Sequence, residues 1–510
     1  CGVPYHKVDP LELDMALVTR TLSRPFALRH AVLPLRRDAE GLVVALEDPF
    51  ARETIAELER IAQAPVRCEV ASKREIFKAL TEIYGFRQSV ESAARESSTT
   101  GLADFEQLVK LRSVGEIEAS DQHVVNAVDF LLRYAFDQRA SDIHIEPRRG
   151  DTQVRLRIDG VLHDAHHVPR RVHGALLSRI KTIARLDIAE KRRPQDGRIK
   201  MVMAEREIEL RVSTMPVAFG EKAVLRIFDP GRLLQDLGDL GFDADEEQRF
   251  ARWLSLPHGM VLVTGPTGSG KTTTLYTALQ ALASTEVNVT SVEDPIEMVT
   301  DRFNQVAVQS RIGVDFASAL RTILRQDPDV IMVGEIRDSA TAEMAVQAAL
   351  TGHLVLSTLH TNDAVGAVTR LRDLDVPPFL IGSTLVGVLA QRLLRRLCPE
   401  CTEPAPLTAD QRMALAVPAA AAADFNETAA GRGCVACRGT GYHGRLGIFE
   451  MMEVDSTIAQ RVAQSAPESE LHALAERQGM RSLRQSALAR LRQGKTSFEE
   501  VMRVTGAGRA

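Results

Sequence analysis

Short apolar runs, separated by longer helix-like stretches, recur through the middle of the chain. Four of these runs lie at 261–264, 289–292, 329–333 and 351–360. Strands that are buried on both faces appear as continuous apolar runs, and their alternation with helices is typical of a parallel sheet. We therefore expect an α/β domain with a mostly parallel sheet over residues 243–397.

The pattern upstream of that domain is different. An amphipathic helix is expected at 124–136, and strands are expected at 141–146, 154–158 and 207–213. We expect these elements to form a second, smaller α+β lobe at 106–229.

A further α+β domain is expected at the start of the chain. Residues 1–86 combine helical periodicity with a short strand at 42–46 and end in a helix-like run at 73–84. The chain begins at Cys1 rather than at Met, which suggests that this domain lacks its beginning.

Linkers and smaller segments complete the expected organisation. Residues 87–105 are small and polar, as in a flexible linker, and a hinge is expected at 230–242, where a Pro-Gly pair stands. Beyond the α/β domain, two cysteine pairs mark a module at 398–447. Helical segments follow at 448–510.

The composition is that of an ordinary globular protein. The chain has 510 residues, of which 45% are hydrophobic and 26% are charged, so it can form roughly three or four domains. Its net charge of −5 argues against a protein devoted wholly to nucleic acid. The longest candidate for a membrane span, 377–390, is shorter than the ~18 residues that are needed. The cysteine pattern gives no sign of an oxidising compartment.

The loop after the first apolar run has the spacing of a phosphate-binding loop, G-x-x-x-x-G-K-[ST]. Its glycines allow consecutive backbone N–H groups to face phosphate oxygens, and the next helix adds the positive end of its dipole. Lys271 would reach the β- and γ-phosphates, and the Thr272 hydroxyl would ligate Mg²⁺. The residues of this predicted site are Gly265, Pro266, Thr267, Gly268, Ser269, Gly270, Lys271 and Thr272.

Carboxylates follow two of the other apolar runs. Glu293 and Glu297 come after 289–292, and Glu335 comes after 329–333. One carboxylate can orient Mg²⁺ and its waters while another accepts the proton of an attacking water. Taken alone, each is more simply a helix cap or a partner in a surface ion pair. Their position at strand ends beside the phosphate loop favours the hydrolytic role.

Cationic groups are also required, because phosphoryl transfer depends mostly on positioning and charge stabilisation. Arg321, Arg325 and Arg337 lie in the same segment as these carboxylates. His353 and His360 stand near the two ends of the last apolar run. Each histidine either is a satisfied core residue or senses the γ-phosphate.

These motifs together resemble the secretion ATPase superfamily, with its Walker A motif, Asp box, Walker B motif and His box. The superfamily drives type II secretion, type IV pilus assembly and retraction, and related machines. The resemblance covers roughly residues 106–510 and is weaker over 1–86. The segments that carry it are Ala-Ser-Asp-Ile-His-Ile-Glu-Pro at 140–147, Pro-Gln-Asp-Gly-Arg at 194–198, Arg-Val-Ser-Thr at 211–214, the phosphate loop, Val-Glu-Asp-Pro-Ile-Glu at 292–297, Ile-Met-Val-Gly-Glu-Ile-Arg-Asp at 331–338 and the run 351–360.

The resemblance implies a RecA-like P-loop ATPase domain that follows a PAS-like lobe. It implies protomers that close into a hexameric ring, with ATP between the lobes. Glu297 would be the general base and Glu335 would hold Mg²⁺ or the water network, although the two roles can be exchanged. Glu293 would line the nucleotide site, and His353 and His360 would sense the γ-phosphate.

Five arginines also receive roles from the resemblance. Arg198 and Arg211 would reach the nucleotide from the preceding lobe, in the same chain or in a neighbour. Alternatively, they are surface charges on a strand. Arg321, Arg325 and Arg337 would add charge at the nucleotide or clasp the lobes together.

Two C-x-x-C pairs have the spacing of a four-thiolate zinc site. Cys398 and Cys401 form the first pair, and Cys434 and Cys437 form the second. A zinc site with all four positions filled by protein is structural. The alternative is a pair of reactive dithiols. The resemblance favours Zn²⁺, since secretion and pilus-assembly members carry this module and retraction members generally lack it.

The resemblance favours a cytoplasmic motor ATPase that powers type II secretion through pseudopilus assembly. The segment 387–393, with Arg392, Arg395 and Arg396, favours secretion members over the alternative, a type IV pilus assembly ATPase. A DNA uptake or transfer translocase would need a basic channel rich in aromatic residues. Only 5% of the residues are aromatic, so no nucleic acid is expected.

The implied assembly is a homohexamer at the inner membrane, which it would contact peripherally through partners. These partners are an inner-membrane platform protein and the cytoplasmic domain of a membrane-anchored secretion component, with an acidic lipid surface as a further contact. Residues 1–86 would bind the protein partner. The alternative ligand, a cyclic dinucleotide, is bound in relatives by an Arg/Leu/Gly-rich motif that is not found here.

Overall fold

The computed structural model describes residues 3–8, 13–81, 83–84, 122–203, 205–229, 236–415, 425 and 428–506. These residues form two compact units, one drawn mainly from residues up to Asp229 and the other mainly from residue 236 onwards. The linker predicted at 87–105 and the first part of the hinge predicted at 230–242 lie outside the described residues.

Strands and helices alternate through most of the described chain. The strands are β1 (Val32–Asp38), β2 (Gly41–Leu46), β3 (Val66–Val70), β4 (Asp142–Pro147), β5 (Asp151–Ile158), β6 (Val161–Pro169), β7 (Gln195–Met203), β8 (Arg206–Val217), β9 (Gly220–Phe228), β10 (Gly259–Thr264), β11 (Val289–Glu293), β12 (Asn304–Ala307), β13 (Val330–Val333), β14 (Leu354–Leu359), β15 (Leu385–Leu397), β16 (Thr402–Pro404), β17 (Ala429–Gly431) and β18 (Tyr442–Glu453). The helices are α1 (Met15–Thr21), α2 (Arg24–His30), α3 (Arg52–Ala62), α4 (73–81), α5 (Gln122–Asp137), α6 (Arg170–Ile183), α7 (Leu237–Leu240), α8 (Ala244–Leu254), α9 (Lys271–Leu282), α10 (Phe316–Ile323), α11 (Ser339–Leu350), α12 (Gly366–Asp373), α13 (Pro378–Thr384), α14 (Ala409–Ala414), α15 (Ser456–Ala463), α16 (Glu468–Arg477), α17 (Leu483–Arg492) and α18 (Phe498–Thr505).

A seven-stranded sheet forms the centre of the second unit, in the order β12-β11-β13-β14-β10-β15-β18. All neighbouring pairs are parallel except β15 and β18. Met260 and Leu262 of β10 pack with α10, α11 and α13 on one face, whereas Val261 and Val263 pack with α8 and α9 on the other. Because both faces are covered, every residue of β10 is buried, which explains the continuous apolar run. The predicted α/β fold with a mostly parallel sheet is confirmed.

β15 and β18 form a long antiparallel ribbon at one side of this sheet. Their pairing extends from Gly387 opposite Glu453 to Leu397 opposite Tyr442. The cysteine segment is inserted between the two strands, because Cys398 directly follows β15 and the second cysteine pair precedes β18. The sheet therefore takes its last strand from beyond residue 397. The division of the chain into seven segments stays a prediction.

The first unit contains two sheets. Six strands form an antiparallel sheet in the order β6-β5-β4-β9-β8-β7. Residues of β5 alternate between buried and half-buried, so that one face packs with α5 and α6. A three-stranded sheet, β1-β2-β3, packs with helices near the start of the chain. Both predicted α+β arrangements are therefore present.

The apolar stretch at 377–390 is α13 followed by the first half of β15. Among the helices that the structure describes, none is both long enough and apolar enough to cross a membrane.

Candidate functional site

The phosphate loop joins the carboxyl end of β10 to the amino end of α9. Gly265, Gly268 and Gly270 have φ angles of 147°, 79° and 91°, which residues with a Cβ atom rarely adopt. Because α9 begins at Lys271, its first N–H groups and the positive end of its dipole belong to the loop. The structure therefore has the strand–loop–helix geometry that the sequence pattern predicts.

Gln391 of β15 forms the floor beneath this loop. A Cβ atom at Gly265 would lie 2.5 Å from the Gln391 backbone oxygen, and one at Gly270 would lie 2.8 Å from Gln391 Nε2. Thr274 Oγ1, in the first turn of α9, donates a hydrogen bond to Gln391 Oε1 at 2.8 Å. Besides its φ angle, Gly265 is therefore required by close approach to the Gln391 backbone, and Gly270 by close approach to the Gln391 side chain.

Lys271 is buried within the loop. Its Nζ donates to the backbone oxygens of Gly265 and Pro266 at 2.8 and 3.1 Å. Burial lowers the pKa of Lys271, and the negative charges of Glu335 and Glu297 oppose that shift. Both carboxylates are therefore close enough to act on the ammonium group.

The loop fits the phosphate group that its sequence predicts. Ser269 Oγ is buried and has no hydrogen-bond partner among the described residues. An unsatisfied buried hydroxyl costs about 1–3 kcal/mol, which a phosphate oxygen would recover. Thr272 is half-buried at the start of α9, where P-loop proteins place their Mg²⁺ ligand. Pro266 and Thr267 are exposed at the tip of the loop.

Gly265→Ala is expected to destabilise the second unit by about 2–5 kcal/mol, because the added Cβ meets the Gln391 backbone and the φ angle disfavours a side chain. Gly268→Ala is the matched control, since its φ is also positive but no atom lies within 4 Å of its added Cβ. About 1–2 kcal/mol is expected there. Thermal unfolding without nucleotide measures both variants, and equal losses would show that contact with Gln391 has no effect.

Glu335 follows β13 at the same edge of the sheet as the phosphate loop. Its Oε1 accepts a hydrogen bond from Arg337 Nη2 at 2.5 Å, and its Oε2 lies 3.7 Å from His360 Nε2. Burial and the positive charge of Lys271 lower the pKa of His360, whereas the charge of Glu335 opposes the shift. The structure thus brings four predicted residues together at the carboxyl ends of β10, β13 and β14.

Glu293 is the last residue of β11 and is almost fully buried. Its carboxylate accepts hydrogen bonds from Tyr276 OH and Ser291 Oγ, both at 2.7 Å. Burial and the Glu293 charge raise the pKa of Tyr276. The Glu297 backbone N–H donates to Glu293 Oε2 at 3.4 Å. Glu293 therefore supports the turn that carries Glu297.

His353 lies at the opposite end of β14 from His360. β14 has six residues and runs parallel to β10; His353 precedes it and His360 follows it. A strand of that length spans about 20 Å. His353 Nδ1 lies 2.9 Å from the backbone oxygen of Ala348. The structure does not bring His353 to the phosphate loop of its own chain.

Arg321 and Arg325 also lie away from the loop. Both are exposed, Arg321 in the last turn of α10 and Arg325 just after it. Asn288 stands directly before β11 and holds the turn that follows Arg325. Its Nδ2 donates a hydrogen bond to the Gln326 backbone oxygen at 3.0 Å. Since β11 runs parallel to β13, β14 and β10, its start lies at the edge opposite the phosphate loop. These two arginines are therefore not brought together with Lys271 in one chain.

Arg198 and Arg211 are cross-strand partners on β7 and β8 of the first unit. Both approach Glu209, with Nε–Oε1 distances of 3.9 and 3.7 Å. Arg211 also lies over the Phe228 ring, 4.0 Å from its centroid. Like charges directly opposite one another in a sheet repel, and Glu209 lies close to both guanidinium groups. The structure therefore places the two predicted arginines side by side on neighbouring strands.

The four predicted cysteines form one cluster, with their sulfur atoms within 4.8 Å of one another. Cys434 Sγ and Cys437 Sγ are 3.8 Å apart, well beyond the ~2.05 Å of a disulfide. Four sulfurs bound to zinc at 2.3 Å in a tetrahedron would lie about 3.8 Å apart. The Cys401 N–H donates to the Cys398 oxygen at 3.2 Å, and the Cys437 N–H donates to the Cys434 oxygen at the same distance. This geometry fits a tetrahedral metal ion.

Sequence reasoning missed Gln391 as a functional residue. Its hydrogen-bond partner, Thr274, is 117 positions away in the chain. The only local signal is that Gln391 is the first polar residue after the apolar run 387–390. That signal gives no indication of what the side chain contacts.

Two family profiles match the chain. The family described as Type II/IV secretion system protein matches residues 117–503, and the MshEN domain matches residues 1–90.

Curated relatives align with almost the whole chain. The chain is 46% identical over 514 residues to the type IV pilus assembly ATPase TfpB of Acinetobacter baylyi, an alignment that covers 99% of the chain and 86% of TfpB. It is 44% identical over 493 residues to the type II secretion system ATPase E of Vibrio cholerae, with 95% and 97% covered.

Solved structures share the fold. The X-ray structure of the ATPase DotB from Legionella pneumophila has a TM-score of 0.55 at 20% identity and covers 74% of the chain and 95% of DotB. The crystal structure of the pilus retraction motor PilT with bound ADP has a TM-score of 0.50 at 23% identity and covers 74% of the chain and 96% of PilT. Given the profile match over 117–503 and the two long alignments, this chain belongs to the type II/IV secretion system protein family.

Proposed function

We propose that this chain is the motor ATPase of a type II secretion system, which hydrolyses ATP to ADP and phosphate and thereby powers pseudopilus assembly. The observation that carries the proposal is the grouping of Lys271, Glu335, Arg337 and His360 beside the phosphate loop. It occurs in a chain that aligns over 95% of its length with a type II secretion system ATPase E.

In this proposal the loop from Gly265 to Thr272 holds the phosphates, and Thr272 ligates Mg²⁺. Bound Mg²⁺ would offset negative charge on the β- and γ-phosphates. Glu335 and Glu297 share the roles of general base and of holding the water and metal network. His360 contacts the γ-phosphate, and Glu293 acts by supporting the turn before Glu297.

The remaining arginines and His353 receive roles between lobes or protomers of a homohexamer. The positive charge of Arg198 and Arg211 suits a γ-phosphate presented to β7 and β8. Release of such a clasp after hydrolysis would convert chemistry into motion. Arg321 and Arg325 are exposed, so they would add charge across an interface, and His353 would sense nucleotide there.

We further propose cytoplasmic protomers held at the inner membrane by partners. These are a platform protein and the cytoplasmic domain of a membrane-anchored secretion component, with acidic lipid as a further contact. Residues 1–86, within the MshEN match, would bind the membrane-anchored component. A cyclic dinucleotide remains the alternative ligand of that domain, and no nucleic acid is expected.

We assign Zn²⁺ to the four cysteines as a structural ion. The donor set is four sulfurs, which is typical of closed zinc sites rather than catalytic ones. Cys398 and Cys401 at the end of β15, with Cys434 and Cys437 before β18, would tie the ribbon ends together.

A type IV pilus assembly ATPase is the second candidate. The observation that favours it is the 46% identity to TfpB over 99% of the chain, slightly above the identity to the secretion relative. Both candidates share the ATPase site and differ in the platform that the motor serves.

ATP turnover is expected to rise severalfold when acidic lipid vesicles and the cytoplasmic domains of a secretion platform are added together, and to stay basal with DNA. Parallel reactions with pilus platform domains separate the two candidates. Lys271→Ala is the control, since it should abolish turnover in every condition. Stimulation by DNA alone would contradict the proposal and indicate a translocase.

A further inference from the structure

Glu450 is a buried carboxylate that none of the ATP-site roles uses. It lies in β18, is 4% exposed and stands opposite Ala390 of β15. Its Oε1 accepts the backbone N–H of Ala364 at 2.8 Å, and its Oε2 accepts that of Leu483 at 3.2 Å. Burial raises the pKa of Glu450, and these two bonds oppose the shift.

The usual arrangement of a buried carboxylate is seen at Glu500 of α18, which pairs with Arg395 and Arg503. Glu450 has no lysine or arginine partner in the part of the chain that the structure describes. Burying a carboxylate without a cation is costly. The two hydrogen bonds to backbone N–H groups offset part of that cost, and they join two segments of the chain.

The first segment carries His360. Ala364 lies four residues after His360, and Thr361 stands between them. The Thr361 N–H donates to Thr264 Oγ1 at 2.9 Å, and the two hydroxyl oxygens are 2.6 Å apart. Thr264 is the last residue of β10, directly before the phosphate loop. The segment is therefore held between the phosphate-loop strand on one side and Glu450 on the other.

The second segment is the start of the helical tail. Leu483 is the first residue of α17, after the N-cap Ser482. Its N–H has no acceptor within the helix, and the positive end of the helix dipole favours a carboxylate there. Asp363 of the first segment also lies 3.8 Å from His472 of α16. Two contacts thus join the His360 segment to the tail helices.

We propose that Glu450 is a positioning residue for ATP hydrolysis, which fixes the segment carrying His360 to the first residue of α17. Because the Glu450 carboxylate bonds to both segments, the position of His360 depends on the position of α17. The inference rests on the proposed role of His360 at the γ-phosphate. Because the Glu450 carboxylate accepts its hydrogen bonds from Ala364 and Leu483 and not from the phosphate loop, movement of the tail should change turnover rather than ATP affinity.

Leu483→Pro removes one of the two N–H donors, together with the leucine side chain that packs on the tail cluster. Proline is favoured at the first position of a helix. Ser482 has φ −66° and ψ 158°, the extended conformation that suits a residue before proline. Leu483→Ala is the matched control, since it loses the leucine side chain but keeps the N–H. We expect kcat about five- to tenfold lower in the proline variant than in the alanine variant, with KM for ATP within about twofold. Equal kcat values would overturn the proposal.

Glu450→Gln tests the carboxylate itself, because its amide can accept only one of the two N–H groups. We expect kcat to fall at least about tenfold and KM to stay within about threefold. The fall should be much smaller in a His360→Ala background, since the two residues act through one segment. A full tenfold fall there would overturn the proposal. Glu500→Gln is the structural control, expected to lower Tm without this dependence on His360.

Two kinds of failure can be told apart. Wild-type turnover in His360→Ala alone would refute the proposed role of His360 and, with it, this inference. Wild-type turnover in Glu450→Gln, beside an impaired His360→Ala, would refute the Glu450 inference alone. Amide hydrogen exchange adds a readout independent of turnover: in Glu450→Gln it should rise together at 360–366 and 482–486, and a rise at one segment only would contradict the link.

Discussion

A Glu335→Gln variant is expected to bind ATP about as tightly as the wild type and to hydrolyse it at least about 100-fold more slowly. The amide preserves the size of the side chain but removes the charge that lies 2.5 Å from Arg337 and 3.7 Å from His360. That charge would act mainly as the γ-phosphate is transferred, so its loss should reduce kcat rather than binding. Steady-state turnover and the equilibrium binding of a fluorescent ATP analogue measure the two quantities.

Glu297→Gln is the companion variant, because either carboxylate is a candidate for the general base. The variant that removes the base should also lose the acidic limb of the pH–rate profile. Glu343→Gln is the matched control, since Glu343 is an exposed acid on α11, a few residues along the chain. Near-normal turnover in both Glu335→Gln and Glu297→Gln would refute the assignment of the site.

The central strands could be predicted from sequence because a strand that is buried on both faces consists almost entirely of apolar residues. β10 is buried at every position, and β11, β13 and β14 are also buried throughout. β18 was not predicted, although its residues 446–452 are all buried. Its existence depends on pairing with β15 across the cysteine segment, and such a distant pairing leaves no local pattern.

The same distinction holds for the candidate site. The phosphate loop was predictable because all its groups are consecutive and its backbone angles require glycine. Gln391 and Glu450 were not, since each contacts residues that lie far from it in the chain. For His353, the sequence shows that it stands beside an apolar run. It does not show which edge of the sheet His353 occupies, because that depends on the direction of β14.

Cys434→Ser is expected to lose the zinc that we assign to the cluster and to destabilise the C-terminal part of the chain. Structural zinc sites contribute roughly 10–16 kcal/mol of binding free energy in small peptides, so even a fraction of that value is large beside the stability of a domain. The ATP affinity should stay within about twofold. Cys398 follows Gln391 by seven residues along β15, a distance of about 23 Å, so the phosphate loop does not depend on the metal directly.

Metal analysis, thermal unfolding and ATP binding, each on the full chain, test this expectation. Cys68→Ser is the matched control, because Cys68 is a half-buried thiol in β3 and outside the cluster. It should keep wild-type zinc content and change Tm only slightly. Wild-type protein that contains no zinc, with four thiols that react at once without a chelator, would instead support the two-dithiol alternative. Since a closed four-sulfur site has no open position for substrate, loss of zinc should act on ATP turnover only through the stability of the ribbon and the tail.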